Sequence, residues 1–152
     1  MSEMKCSPVR QLPNHCVPAC LESVAKDARI SITQSDIVRQ FPAVFPGGVI
    51  NDIGKSPDLE NVVRDLKLAD SIYDIPFQGI DHLAVLHKGN EILLMWTDPA
   101  KHCVRVCSCD VRSQQVTVMD PELDKFDTYD VVRLKSLNAS LVFFKRPRPA
   151  HC

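Results

Sequence analysis

Cys16 is the residue in this chain whose setting best suits nucleophilic chemistry. A thiol attacks only as a thiolate, and a helix N-terminus favours that anion by placing partial positive charge and unbonded N–H groups beside the sulfur. Val17, Cys20, Leu21, Val24 and Ala25 recur at spacings of three and four, which predicts a helix from residue 16 to about residue 26. Pro18 is tolerated only in the first turn of such a helix. The helix must therefore begin close to Cys16. Cys20, one turn later on the apolar face, reads as core.

A nucleophilic thiol also needs a base. His15 is adjacent in sequence, so its side chain should diverge from that of Cys16. His82 and His87 read as surface residues of a later helix, and His151 lies in the tail. His102 opens a strand after the turn at 98–101. His102, Val104 and Val106 point to one face of that strand, and Val116, Val118 and Asp120 point to one face of the next. With residues 110–112 as a three-residue hairpin loop, 106 faces 116, 104 faces 118 and 102 faces 120. His102 and Asp120 then become cross-strand neighbours, with Cβ atoms roughly 5 Å apart. Any register that keeps Val104 and Val106 in the core keeps the pair on one face. Asp120 can accept the Nδ1 proton of His102 and aim the other nitrogen at a thiol. Pro121 ends the strand directly after the acid. Such a pair is also an ordinary way for two strands to end; the conjunction with Cys16 is what makes it a candidate triad.

The remaining elements must hold these residues in place. A second helix is predicted over 34–41, with Thr33 and Asp36 as a capping box and Pro42 as its stop. Residues 42–55, with Pro46, Gly47, Gly48 and Gly54, form a long loop that reads as a connection or as a cover over the site. Ser56 and Pro57 start a third helix that buries Leu59, Val62, Val63 and Leu66. A short strand is expected at 72–75 and a fourth helix at 80–87, ended by Gly89. The period then changes to two, with strands at 92–96, 102–108, 115–120 and 141–144. Helices first and strands afterwards define an α+β fold, with N-terminal helices packed on a C-terminal antiparallel β-sheet.

The chain has 152 residues, 45% hydrophobic and 24% charged, the profile of one packed domain spanning 1–152. A domain of this size buries roughly two thirds of its unfolded surface and needs no disulfide staples. A net charge of −1 gives no basis for nucleic acid as a partner. The basic tail Lys145-Arg146-Pro147-Arg148 reads as a solvated end. No apolar run reaches the ~20 residues of a membrane span, and the N-terminus lacks a signal-peptide pattern. The expected location is the cytoplasm, or outside the cell by a route that needs no classical signal. The seven cysteines include no CxxC pair, so most are expected to be buried or free thiols, with no metal or cofactor implied. Cys103, Cys107 and Cys109 plus a histidine form the alternative, a metal site. On a regular strand, however, these three face away from His102.

The segment from Gln11 through Cys16 and Cys20 to Ala25, QLPNHCVPACLESVA, resembles the N-terminal motif of bacteriocin-processing cysteine peptidases, papain-like domains that remove double-glycine leaders. That motif is a glutamine, a short gap, an acidic residue, the catalytic cysteine, a glycine, a small residue or proline, an alanine and an apolar helix. His15 stands here where the family has the acidic residue, and Val17 where it has glycine. Leu93 to Trp96, His102 to Val106 and the segment ending Asp120-Pro121 resemble the family's later strands. The resemblance implies a papain-like fold in a stand-alone domain acting on a peptide or protein substrate. By position it makes Cys16 the nucleophile, His102 the base, Asp120 the orienting acid and Gln11 the oxyanion-hole donor. Stand-alone relatives include bacterial effector proteases and toxins. Two alternatives share the fold: an acyltransferase using the same triad, and a non-catalytic interaction domain.

Overall fold

Residues 92–96 are apolar without interruption, and in the computed structural model all five are buried at the centre of an antiparallel sheet. The structure describes residues 2–3, 6–50, 57–123 and 125–147. The central strand is β3 (Asn90–Trp96), flanked by β7 (Ser140–Lys145) and β4 (His102–Asp110). β2 (Tyr73–Pro76) lies outside β7, while β5 (Gln115–Asp120) and then β6 (Lys125–Asp130) continue beyond β4. A short β1 (Ser2–Glu3) pairs with β4 at Ser108 and Cys109.

Helices cover both faces, which is why β3 is apolar on both sides rather than alternating. On one face α1 (Cys16–Asp27), α2 (Gln34–Gln40) and α3 (Pro57–Asp65) pack Leu21, Val24, Ile37, Leu59 and Val62 against Leu93, Met95, Cys103, Met119 and Phe144. On the other, α4 (Ile80–His87) and α5 (Val131–Ser136) pack Ile80, Leu83 and Leu134 against Ile92, Leu94, Val104, Val106, Val116 and Val118. This is the expected α+β arrangement. The Thr33–Asp36 capping box is present at the start of α2. The proposed Ser56 cap, residues 51–56 of the long loop, and His151 lie outside the described residues.

The β4–β5 register differs from the expected one. Val106 pairs with Val118, not with Val116, and the register shifts between Val106 and Ser108. The hairpin turn takes four residues, 111–114, and the bulge at Cys107 takes one more. The displacement is two residues, so the alternation of faces is kept at the His102 end. Beyond the bulge it reverses: Cys103 and Cys107 belong to the α1 side and Cys109 to the other. The three cysteines therefore do not share a face, which corrects the geometry expected for a metal set. Cys107 is instead disulfide-bonded to Cys6, whereas Cys16, Cys20, Cys103 and Cys109 are free thiols.

Polar groups account for the other departures. Arg105 is fully buried beneath α1, where it donates to both carboxylate oxygens of Glu91 at 3.0 and 2.9 Å and to Ser23 Oγ at 2.9 Å, and pairs with Asp27. Arg146, expected in a solvated end, also reaches Glu91 (3.6 Å) and donates to the Asn90 carbonyl at 2.9 Å. His87, expected on the surface, is buried, and burial together with the nearby Arg146 and Arg105 lowers its pKa to about 4. No helix among the described residues is long and apolar enough to cross a membrane.

Candidate active site

The site begins where the chain turns into α1. Asn14 adopts a left-handed conformation (φ 65°), the His15 N–H donates to the Leu12 carbonyl at 2.9 Å, and the helix starts at Cys16. No side chain caps α1 and no acidic residue lies in its first turn. Among the described residues the first N–H groups therefore have no side-chain cap and no acidic neighbour within the turn itself. Cys16 is half-buried against the α1-side core, and Cys20 is fully buried. The His15 ring turns away, with Nδ1 2.7 Å from the Pro13 carbonyl and its face against Gly48.

The segment before the helix is fastened by Gln34. Its Oε1 accepts from the Leu12 N–H at 2.8 Å and its Nε2 donates to the Arg10 carbonyl at 2.8 Å. Between them, the Gln11 N–H donates to the Pro121 carbonyl at 2.9 Å. Gln11 is thereby tied to the residue that follows Asp120. Gln34 was not foreseen from sequence, since it reads there only as the first residue of a helix.

His102 opens β4 at the same end of the sheet. Its Nε2 lies 2.9 Å from Asp120 Oδ1, and Asp120 is buried. The Cys16 thiol lines the same cleft as the ring and interacts with it electrostatically. With Nε2 taken by Asp120, the nitrogen left for the thiol is Nδ1. This reverses the expected assignment, in which Nδ1 faced the acid. Trp96 packs edge-on against the ring, with centroids 5.4 Å apart, and helps set its orientation. Burial acts to lower the His102 pKa, but the hydrogen bonds and negative charge of Asp120 and Cys16 outweigh it and raise the value to about 10. Glu122 is a second residue the sequence did not single out. Its N–H donates to Asp120 Oδ1 at 3.0 Å, and its largely exposed carboxylate lies 3.8 Å from His102 Nε2.

A cleft of about 370 Å³ opens over these groups, lined by Gln11, Asn14, Cys16, Val17, Val49, Ile50, Ala100, Lys101, His102 and Glu122. The four residues singled out from sequence thus lie together, three lining the cleft and Asp120 behind His102. Among the described residues, the metal-binding side chains close enough to share an ion are His102, Asp120 and Glu122. They belong to this same site. A larger hollow of about 530 Å³, lined by Arg64, Lys67, Tyr73 and Arg146 among others, lies apart from it.

No protein-family model and no curated protein matches the chain. Solved structures do. The peptidase domain of Streptococcus ComA, a bifunctional ABC transporter involved in a quorum-sensing pathway, superposes with a TM-score of 0.63 at 18% identity, over 92% of this chain and 97% of that one. A protein from Bacillus anthracis described as a putative C39-like peptidase superposes with a TM-score of 0.62 at 13% identity, over 93% of this chain and 96% of that one. The chain therefore has the papain-like fold of these peptidase domains.

Proposed function

We propose that this protein is a cysteine peptidase that cleaves a peptide bond through a Cys16 acyl-enzyme. The observation that carries this reading is that His102, bonded to the buried Asp120 carboxylate at 2.9 Å, lines the same open cleft as the Cys16 thiol. The fold shared with two peptidase domains supports it.

The chemistry follows from the positions. Proton transfer from Cys16 to His102 gives a thiolate at the start of α1 and an imidazolium that Asp120 stabilises. The thiolate attacks the substrate carbonyl carbon and the carbonyl π-electrons move onto oxygen. That oxyanion meets the Cys16 backbone N–H, unbonded in the first turn, and the Gln11 amide. Among the described residues Gln11 Oε1 is buried without a hydrogen-bond partner; an amide whose oxygen faces inward presents its N–H₂ outward. Collapse of the intermediate breaks the C–N bond, and His102 gives its proton to the departing amine. Water then attacks the thioester with neutral His102 as base, releasing the acid and restoring the ion pair.

The test has two parts. At pH 6 iodoacetamide should label Cys16 far faster than the other free thiols. A degenerate peptide mixture should yield new termini by mass spectrometry with the wild-type protein and none with Cys16→Ala. Equal labelling of the thiols with no new termini would overturn the proposal.

A further inference from the structure

Resting on the peptidase reading, we infer that Glu122 is a second positioning residue for the reaction: its carboxylate shares with Asp120 the task of orienting the His102 imidazolium, and takes that task over where Asp120 is lost.

Two carboxylates approach one ring nitrogen. Asp120 Oδ1 lies 2.9 Å from His102 Nε2, and Glu122 Oε2 lies 3.8 Å from the same atom. The first contact is a hydrogen bond; the second is an ion pair too long to be one. Burial ranks them. The Asp120 side chain is 5% exposed and that of Glu122 is 68% exposed. Water screens the exposed charge, so Glu122 adds little while Asp120 holds the nitrogen. No other carboxylate is placed to do the same. Asp127 lines a hollow beside the ring but forms no ion pair with it. Lys101 lines that hollow too, yet among the described residues His102 is the ion partner of Glu122.

The backbone holds Glu122 in place without help from the Asp120 carboxylate. The Leu123 N–H donates to the Asp120 carbonyl at 3.2 Å, closing a turn with Pro121 and Glu122 as its central residues. The Pro121 carbonyl accepts the Gln11 N–H at 2.9 Å. Both bonds are main-chain, so a substitution at Asp120 leaves them intact. The Glu122 side chain, in contrast, has room to move. A hollow of about 370 Å³ lies on the Asp120 side of the ring, lined by Trp96, His102, Asp120, Glu122 and Asp127 among others. With the Asp120 carboxylate gone, a side-chain rotation brings Glu122 from 3.8 Å to hydrogen-bond length. The tautomer is unchanged by the exchange: Nε2 keeps its proton against a carboxylate, and Nδ1 stays free for the thiol.

The experiment is a double-mutant cycle of Asp120→Ala and Glu122→Gln, with the melting temperature of every variant measured. Asp120→Asn serves as a second background if the alanine variant does not fold. Each variant is read by kcat, by KM and by the rate of Cys16 alkylation with iodoacetamide at pH 6, which needs the thiolate–imidazolium pair but no substrate. In the wild-type background Glu122→Gln should lower kcat a few-fold, the scale of an exposed ion pair. In the Asp120 variant it should lower kcat by about 10-fold or more, within the range of a lost acid–base contribution. KM should stay nearly constant in both backgrounds, and alkylation should slow in the same pattern as kcat. Equal alkylation factors in the two backgrounds overturn the inference, whether or not peptides are cleaved. Absence of cleavage by the wild-type protein overturns the peptidase reading, and the alkylation cycle then decides the pairing on its own.

Discussion

Asp120 accepts the His102 Nε2 hydrogen bond at 2.9 Å from a buried position, so its charge acts on the ring with little screening by water. The same oxygen accepts the Glu122 N–H at 3.0 Å, and asparagine could keep that bond. Asp120→Asn should therefore stay folded, melting below wild type near neutral pH because the His102 ring loses the charge that stabilises its proton, while kcat falls about 10²-fold, the scale of a lost acid–base contribution. Parallel thermal melts and steady-state kinetics would check this. A variant that is unfolded, or that turns over at the wild-type rate, would make Asp120 a structural residue.

The pH dependence follows from the raised His102 pKa, ordinarily 6.5 and here about 10. Between those values the folded protein holds a proton that the unfolded chain releases, so stability from this group declines as pH rises. Its contribution is full below about pH 6.5 and gone once pH has passed about 10. kcat/KM should likewise fall on an alkaline limb near pH 10, as the proton donor to the leaving amine is lost. Urea midpoints for wild type and His102→Phe at pH 6 and above 10 should converge toward the alkaline end. In Asp120→Asn the alkaline limb should move to lower pH.

Local signals carried most of the readable structure. Pro18 fixed where α1 begins, and the Thr33–Asp36 box fixed the start of α2, because a cap and a proline act within one turn. β6 was missed because in KFDTYD Tyr129 alone is buried, so no period stands out on this edge strand. α5 was missed because six residues capped by Asp130 are too few to show a helical stripe. The His102–Asp120 pairing was legible as a shared face, which a two-residue displacement preserves, but its register was not, because a bulge at Cys107 leaves no mark in the alternation. The alternation of faces carries no signal for which ring nitrogen meets the acid. Arg105 sits on a buried face and makes sense only once Glu91 and Asp27, distant in sequence, converge on it.

That convergence makes Arg105 a stability determinant. Its guanidinium is fully buried with Glu91, and Glu91 is itself nearly inaccessible. Removing the cation strands a buried carboxylate that, among the described cations, only the more distant Arg146 still faces. Arg105→Met should lose about 3–5 kcal/mol in urea unfolding, and Arg105→Met combined with Glu91→Leu should recover part of that loss. If the double variant is less stable than the single one by the full cost of a second, independent lesion, the pair is not coupled and this account of the buried network is wrong.

On the proposed mechanism, Gln11 and Gln34 separate the oxyanion contact from the support behind it. Gln34 touches neither nucleophile nor base; it brackets Gln11 through the Leu12 N–H and the Arg10 carbonyl, both at 2.8 Å. Loss of one oxyanion donor typically lowers kcat on the order of 10²–10³-fold, so Gln11→Ala should do so with KM nearly unchanged, because the oxyanion exists only beyond the ground state. Cys16 alkylation by iodoacetamide, which forms no tetrahedral oxyanion, should keep its wild-type rate. Gln34→Ala should reproduce the same pattern at reduced size, roughly 10-fold in kcat, since the donor remains but is less well placed. If Gln11→Ala slows alkylation and turnover equally, its effect runs through the α1 start and Cys16 itself, and the oxyanion assignment must be withdrawn.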